Sequence, residues 1–216
     1  MKDLYSWMHE RVSRPDERGE YSSGVWQDQV RTHALLWCRD ARERVLEVGC
    51  GEGLFLAQLK KECPHLEVWG IDTSSDRIDQ ARGRIPGAGV HLSVGNAEKL
   101  SFGDDFFDAA LCINVVFNMP SFDVVRNAVT QMRRVVKKGG SVIFDFHNAA
   151  NPLLAVKYGL APWYDRTVRD LPLRTYYLRD MERMLQGIGL EIIQTRRIGT
   201  MPVFGASVIM IRAQKI

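Results

Sequence analysis

The residues best placed to do chemistry in this chain are a glycine loop and the polar side chains that follow it. Glu47-Val48-Gly49-Cys50-Gly51-Glu52-Gly53 comes directly after an apolar run and directly before the helical spacing of Leu54 to Glu62. Glycine serves where a chain turns tightly and a ligand approaches its backbone, and the N–H groups opening a helix can hold an anion. Nicotinamide and flavin cofactors use the same strand-turn-helix, but their fingerprint is GxGxxG; this loop reads GxGxG with an acid two positions before its first glycine. Asp72 stands 19 positions after Gly53, at the end of the next apolar run. A carboxylate there can accept two hydrogen bonds from a ribose diol, or, since Thr73, Ser74 and Ser75 follow, serve as a helix cap or turn. Gly95-Asn96-Ala97-Glu98 follows a third run, where a short polar side chain suits an adenine amino group or, again, a cap.

These groups need elements to carry them. Arg44 to Val48, Glu67 to Ile71, Val90 to Val94, Asp108 to Ile113 and Ser141 to Phe146 are short β-branched or apolar runs and read as buried strands. Between them, Phe122, Val125, Ala128, Val129, Met132, Val135 and Val136 draw one apolar helical stripe, expected to end in a left-handed cap at Gly139 and Gly140. Strand and helix alternating in this way imply right-handed crossovers and a parallel sheet covered on both faces, an α/β fold of Rossmann-like type. A helix near Leu178 to Ile188 and two strands, Leu190 to Arg197 and Ala206 to Arg212, close the chain as a hairpin, so one C-terminal strand should be antiparallel. Val25 to Cys38 reads as an N-terminal helix.

With 216 residues the chain fits one domain on a prior of roughly 150 residues per domain. We divide it into a helical N-terminal cap over residues 1–43, the sheet, and a proline- and aromatic-rich insertion over 147–175 in the place of a substrate lid. Hydrophobic residues at 45% and charged residues at 25% match a globular protein and exclude disordered, collagenous and membrane-embedded classes. A net charge of +3 does not favour a nucleic-acid partner. The basic cluster Arg133, Arg134, Lys137 and Lys138 reads as complementing a helix C-terminus. Cys38, Cys50, Cys63 and Cys112 show no zinc-ligand spacing and suit a reduced chain; no membrane span or signal peptide is legible, so the expectation is cytoplasmic. The oligomeric state is not legible.

Taken in order, VLEVGCGEG (Val45 to Gly53), WGIDTS (Trp69 to Ser74), GNAEKLSF (Gly95 to Phe102), FDAALCINVVFNM (Phe107 to Met119) and VVKKGGSVIFDF (Val135 to Phe146) resemble the class I S-adenosylmethionine-dependent methyltransferases of the small-molecule group, and RDMERMLQGIGLEIIQ (Arg179 to Gln194) looks like that family's last helix and sixth strand. The resemblance implies a seven-stranded sheet and S-adenosylmethionine as cofactor. It also implies a site made of Glu47, Gly49, Cys50, Gly51, Asp72, Thr73, Asn96, Ala97, Glu98, Ile113 and Asn114. Glu47 would stand near the methionine ammonium, and the loop N–H groups near its carboxylate. Asp72 would take the ribose, Thr73 would flank the adenine, Asn96 and Ala97 would meet its edge, and Ile113 and Asn114 would pass beside the methionine portion. The family commonly has aspartate where Asn96 stands, which reverses the donor direction toward adenine.

Methyl transfer is an in-line displacement, so alignment and desolvation of the nucleophile are the main requirements. His147, immediately after the fifth strand, is the candidate general base, with a structural or substrate-contact role as the alternative. Ile113-Asn114-Val115-Val116 lacks the Asn/Asp-Pro-Pro-aromatic element of adenine and glutamine amino methylation, and no acidic pair at that strand end marks a magnesium site, with Asp108 and Asp145 the two acids that leave such a site open. The acceptor is expected to be a small molecule. Tyr5, Trp7, Tyr21, Trp26, Tyr158, Trp163 and Tyr164 are candidates to close a pocket over it, and Arg166, Arg169 or Arg174 to meet an anionic group. A catalytically silent cofactor-binding scaffold and a nicotinamide oxidoreductase are the competing readings.

Overall fold

The structure, a computed structural model, describes residues 25–154, 156, 158–159, 172–199 and 205–216. Its elements in chain order are α1 (Val25–Cys38), β1 (Arg44–Val48), α2 (Leu54–Glu62), β2 (Glu67–Asp72), α3 (Ser75–Arg84), β3 (Val90–Val94), β4 (Phe107–Cys112), a 3-10 turn (Val116–Asn118), α4 (Phe122–Val135), β5 (Val136–Asn148), β6 (Thr175–Tyr176), α5 (Leu178–Gly187), β7 (Leu190–Ile198) and β8 (Val208–Lys215). The sheet runs β3-β2-β1-β4-β5-β8-β7. Strands β1 to β5 pair in parallel and β8 is antiparallel to both its neighbours. The expected α/β sheet with a C-terminal antiparallel strand is therefore present. An eighth, two-residue strand is added: β6 pairs in parallel with His147 and Asn148 at the very end of β5.

Alternation along each strand divides the core between two faces. Leu46, Val48, Val142, Phe144 and Phe146 meet Val125, Val129 and Met132 of α4 and Met181 and Leu185 of α5. Val45, Leu111, Ile143 and Met210 meet Val30 and Ala34 of α1 and Phe55 and Leu59 of α2. The two-residue period places Glu47, Asp145 and His147 on this second face, in step with Val45 and Ile143. Each large side chain removed from water in these clusters contributes about 1.5–3 kcal/mol, so the sheet carrying the site is rigid before any polar contact is counted.

Two expectations are corrected. Helix α4 stops at Val135, not at Gly139: Val136 is extended, its N–H still reaching the Met132 carbonyl, and it already pairs with Phe107. Gly139 does take a left-handed φ of 78°, but inside β5, where the register against β4 shifts between Phe107 and Ala109. Lys137 and Lys138 thus belong to a strand. In addition, β3 is not buried: it ends the sheet, and Val94 is 57% exposed. No helix among the described residues is long and apolar enough to cross a membrane.

Candidate cofactor site

Four strand ends and the loops that leave them meet at the carboxyl edge of the sheet. The loop after β1 is tied down by its neighbour: the N–H groups of Gly49 and Cys50 both donate to the Ile71 carbonyl, at 2.8 and 2.9 Å. Gly51 N–H donates to Asp72 Oδ2 at 3.0 Å, while Asp72 Oδ1 accepts from Ser74 N–H at 3.0 Å. These loop protons are consumed inside the protein, so the expectation that the N–H groups of Gly49 and Gly51 face an anion is corrected. The loop contributes shape instead. A Cβ on Gly49 would lie 2.6 Å from Val115 Cγ2, whereas one on Gly51 would meet nothing within 4 Å.

Asp72 is 6% exposed and each of its oxygens keeps acceptor capacity after the bonds described. The cap of α3 is Ser74, which accepts from Arg77 N–H, so Asp72 supports the turn from two residues outside the cap. Beside it Gly95 N–H donates to the Asp72 carbonyl at 2.9 Å, bringing the Asn96 turn to the same edge. Asn96 Oδ1 accepts from Glu98 N–H at 2.8 Å, and Glu98 in turn accepts from Asn127 Nδ2 on α4. Thr73 is exposed and Ala97 half-buried.

Glu47 lies 3% exposed between these loops, with Oε2 lacking any hydrogen-bond partner among the described residues. Burial raises its carboxyl well above the usual range, the Arg31 guanidinium of α1 opposes that rise, and the Asp72 charge adds to it. A buried acid with an unmatched oxygen is a position at which a cationic or donor group gains most. After β4, Ile113 is buried in the α1/α2 core, and Asn114 turns with φ 58° while its N–H donates to Asp145 Oδ1 at 2.6 Å. The Cys50 side chain points into the core: its Sγ would lie 2.9 Å from a Cβ on Gly70, and burial raises its thiol. Only its backbone belongs to the loop's outer surface.

His147 is 7% exposed. Its ring stacks on Phe117 with centroids 4.2 Å apart and 9° between planes, and its Nδ1 is hydrogen-bonded to the Tyr158 hydroxyl. The backbone is held on both sides, by Thr175 of β6 and Val208 of β8. Trp26 packs against the end of β7, two strands beyond His147: a Cβ on Gly199 would lie 2.7 Å from Trp26 Nε1. Arg174 is exposed, its N–H donating to the Phe117 carbonyl at 2.7 Å. Tyr5, Trp7, Tyr21, Trp163, Tyr164, Arg166 and Arg169 lie outside the described residues.

The site thus gathers Glu47, the glycine loop, Asp72, Ile113, Asn114 and the Asn96 turn, with His147 one strand further along the same edge. Two contributors were not singled out from sequence, Arg31 and Phe117; Tyr158, expected to help close the acceptor pocket, stands against His147 on the side of Nδ1. The alternation in SVIFDFH (Ser141 to His147) does put Asp145 on the face of His147, and that signal locates it. Asp108 lies at the opposite end of the β4–β5 pairing from Asp145, so the two make no common site. Among the described residues no three His, Cys, Asp or Glu side chains are grouped as metal ligands.

Comparison with known proteins agrees with this architecture. A methyltransferase-domain family matches residues 45–140. Fatty-acid O-methyltransferase of Mycolicibacterium smegmatis is 34% identical over 164 residues, which are 76% of this chain and 54% of that protein. A ubiquinone/menaquinone biosynthesis C-methyltransferase of Bordetella avium is 29% identical over 169 residues, 70% of this chain and 65% of that one. The chain therefore spans between half and two thirds of the length of these two relatives. Phosphatidylethanolamine N-methyltransferase of Cereibacter sphaeroides is 36% identical over 148 residues, 66% of this chain and 70% of that one. Among solved structures, magnesium protoporphyrin IX methyltransferase from Synechocystis with bound SAH superposes with a TM-score of 0.70 over 99% of this chain and 96% of that one, at 14% identity. An S-adenosylmethionine-dependent methyltransferase from Mesorhizobium loti gives 0.69 over 86% and 98%, at 15% identity. At these identities the likeness to solved structures is one of fold. The relative matched at 36% identity over 70% of its length carries the rest: this chain belongs to the class I S-adenosylmethionine-dependent methyltransferases.

Proposed function

We propose that the chain binds S-adenosylmethionine at this edge and transfers its methyl group to a small-molecule acceptor with an apolar portion. The observation that carries the cofactor reading is the pairing of a cradle with an unmatched acid: open space over Gly51, bounded by the Asp72 carboxylate, with the orphaned Oε2 of Glu47 close behind. When bound, S-adenosylmethionine supplies an electrophilic methyl on a sulfonium. In our reading Glu47 Oε2 accepts from the ammonium and Asp72 uses its remaining lone pairs on the ribose hydroxyls. Asn96, its oxygen already occupied by Glu98 N–H, offers the adenine a donor. Ile113 and Asn114 wall the methionine side, and Thr73, Ala97 and Glu98 border the adenine. Few further side chains are needed for an in-line displacement, since holding and drying the nucleophile supply most of the acceleration.

For His147 we favour positioning over proton abstraction, because its Nδ1 is engaged by the Tyr158 hydroxyl and its ring is stacked on Phe117. Residues 1–43 and 147–175 are, in this reading, the cap and lid over the acceptor. Relatives named for a fatty acid, a quinone and phosphatidylethanolamine support an acceptor with an apolar tail. The test is calorimetric titration of ligand-stripped protein with S-adenosylmethionine, S-adenosylhomocysteine and NAD, followed by labelled-methyl transfer to a fatty acid, a phosphatidylethanolamine and a demethylated quinone. Binding of the first two at micromolar concentration and label in one acceptor is the expected outcome. Binding of NAD alone, or of none, overturns the cofactor reading; binding without transfer to any lipid-like acceptor overturns the acceptor class.

A further inference from the structure

The carboxyl group of Asp145 has no part in the roles assigned above, yet it is 0% exposed inside an apolar face, with Ile143 two residues before it and Met210 opposite it on β8. An acid at such a place is costly, and a hydrocarbon of similar size is often tolerated as well or better. One of its oxygens, Oδ2, has no hydrogen-bond partner among the described residues. The reason for the acid therefore lies at the other. Oδ1 accepts the Asn114 N–H at 2.6 Å, and Asn114 sits at φ 58°, a left-handed conformation that few residues other than glycine adopt without support. The next residue, Val115, presses Cγ2 to 2.6 Å from where a Cβ of Gly49 would stand, and Gly49 N–H is bonded to Ile71. Anchor, turn, valine and glycine loop form one unbroken series of contacts from the middle of the sheet to the cofactor edge.

We propose that Asp145 is a positioning residue: by holding the Asn114 N–H it fixes the turn after β4, and through Val115 the shape of the Gly49–Gly53 loop. This rests on the reading of that loop as the cofactor site. Burial opposes ionisation of Asp145 and pushes its carboxyl up to about 7, against the pull of the Asn114 N–H. The position thus keeps an acceptor even while its charge is disfavoured, and an amide oxygen should do the same work.

Two substitutions separate the acceptor from the charge. Asp145→Asn and Asp145→Leu both remove the buried titratable group, but only asparagine retains an oxygen for Asn114. S-adenosylhomocysteine affinity should stay within about threefold of wild type in Asp145→Asn and weaken about tenfold or more in Asp145→Leu, the scale of losing one such hydrogen bond. Independently of any ligand, amide exchange of Asn114 should be slow in wild type and Asp145→Asn, and at least about tenfold faster in Asp145→Leu. Equal affinity in the leucine variant, or equal weakening in both, overturns the proposal. So does fast exchange of the Asn114 amide in wild type, a measurement that needs no variant to fold. Failure of wild type itself to bind S-adenosylhomocysteine overturns the cofactor reading and the purpose assigned to the anchor, while the exchange data still decide whether the anchor exists.

Discussion

Of the glycines in the loop after β1, Gly49 is explained by packing, because Val115 occupies the space a side chain would need, and Gly51 is not. With φ 51° and nothing within 4 Å of a notional Cβ, Gly51 leaves room that the protein itself does not fill. Gly51→Ala should lower stability by only about 1 kcal/mol, the strain of a left-handed alanine, while weakening S-adenosylhomocysteine binding about tenfold or more. Paired melting curves and calorimetry check this. A variant that binds as wild type would put the ligand on another side of the loop. The loop and Asp72 were legible because their chemistry is local: glycines at fixed spacing after an apolar run, then an acid at the end of the next. Glu47's orphaned oxygen, the inward turn of Cys50 and the engagement of the loop N–H groups by Ile71 and Asp72 were not legible. They depend on which neighbouring strand supplies the partner.

Asp108 shows the same long-range dependence for a whole element. Its Oδ2 accepts the successive N–H groups of Arg42, Glu43 and Arg44 at 3.1, 2.6 and 3.0 Å, and its Oδ1 takes Lys137 Nζ at 2.8 Å. Strand β1, which delivers the glycine loop, is thus started by an acid from β4 and held by a lysine from β5. An amide cannot satisfy both sides: Asp108→Asn must turn its NH2 either toward Lys137 or toward three backbone donors. It should cost about 2 kcal/mol and lower the melting temperature by ~4–8 °C, with little change in S-adenosylhomocysteine affinity, since the loop lies at the far end of β1. Unchanged melting would mean the contacts are interchangeable with water. Sequence gave the bounds of α1 and α2 to the residue, where one element's own periodicity and glycines decide. It misplaced the end of α4, because the pairing of Val136 with Phe107 turns the chain into strand before Gly139 is reached. The basic run read as a helix end is likewise divided: Arg134 closes the loop after β3 by donating to the Leu100 and Phe102 carbonyls, and Lys137 serves β1.

On the scale of the molecule the two faces of the sheet differ in kind. The α4/α5 face is apolar throughout its core, while the α1/α2 face carries Glu47 and Asp145 buried among hydrocarbon near the carboxyl edge. Alternation in the sequence shows that both acids point inward, but not that burial is so complete. Nor could it reveal β6, a two-residue strand made only by its pairing with His147 and Asn148. Placing acids in the core has a consequence for stability. Asp145 in the folded chain holds its proton up to about 7, against about 3.9 for an unfolded aspartate. Between those values the native state binds a proton that the unfolded state has released, so the stabilisation is complete below about 4 and is lost as pH rises toward 7. Asp108 runs the other way. Burial opposes its ionisation, but the Lys137 bond and the Arg44 and Glu43 N–H groups outweigh that, so its contribution is present above about 4 and fades in acid. Because Asp108 and Glu47 are common to both proteins, comparing wild type with Asp145→Asn isolates the one acid. Urea unfolding at pH 5 and pH 8 should show wild type losing stability relative to the asparagine variant by on the order of 2 kcal/mol as pH rises, since each unit of pKa displacement is worth about 1.4 kcal/mol. Parallel pH profiles for the two proteins would mean that Asp145 is ionised in the folded chain at pH 5, and that the cost of burying it is met by contacts other than the Asn114 N–H.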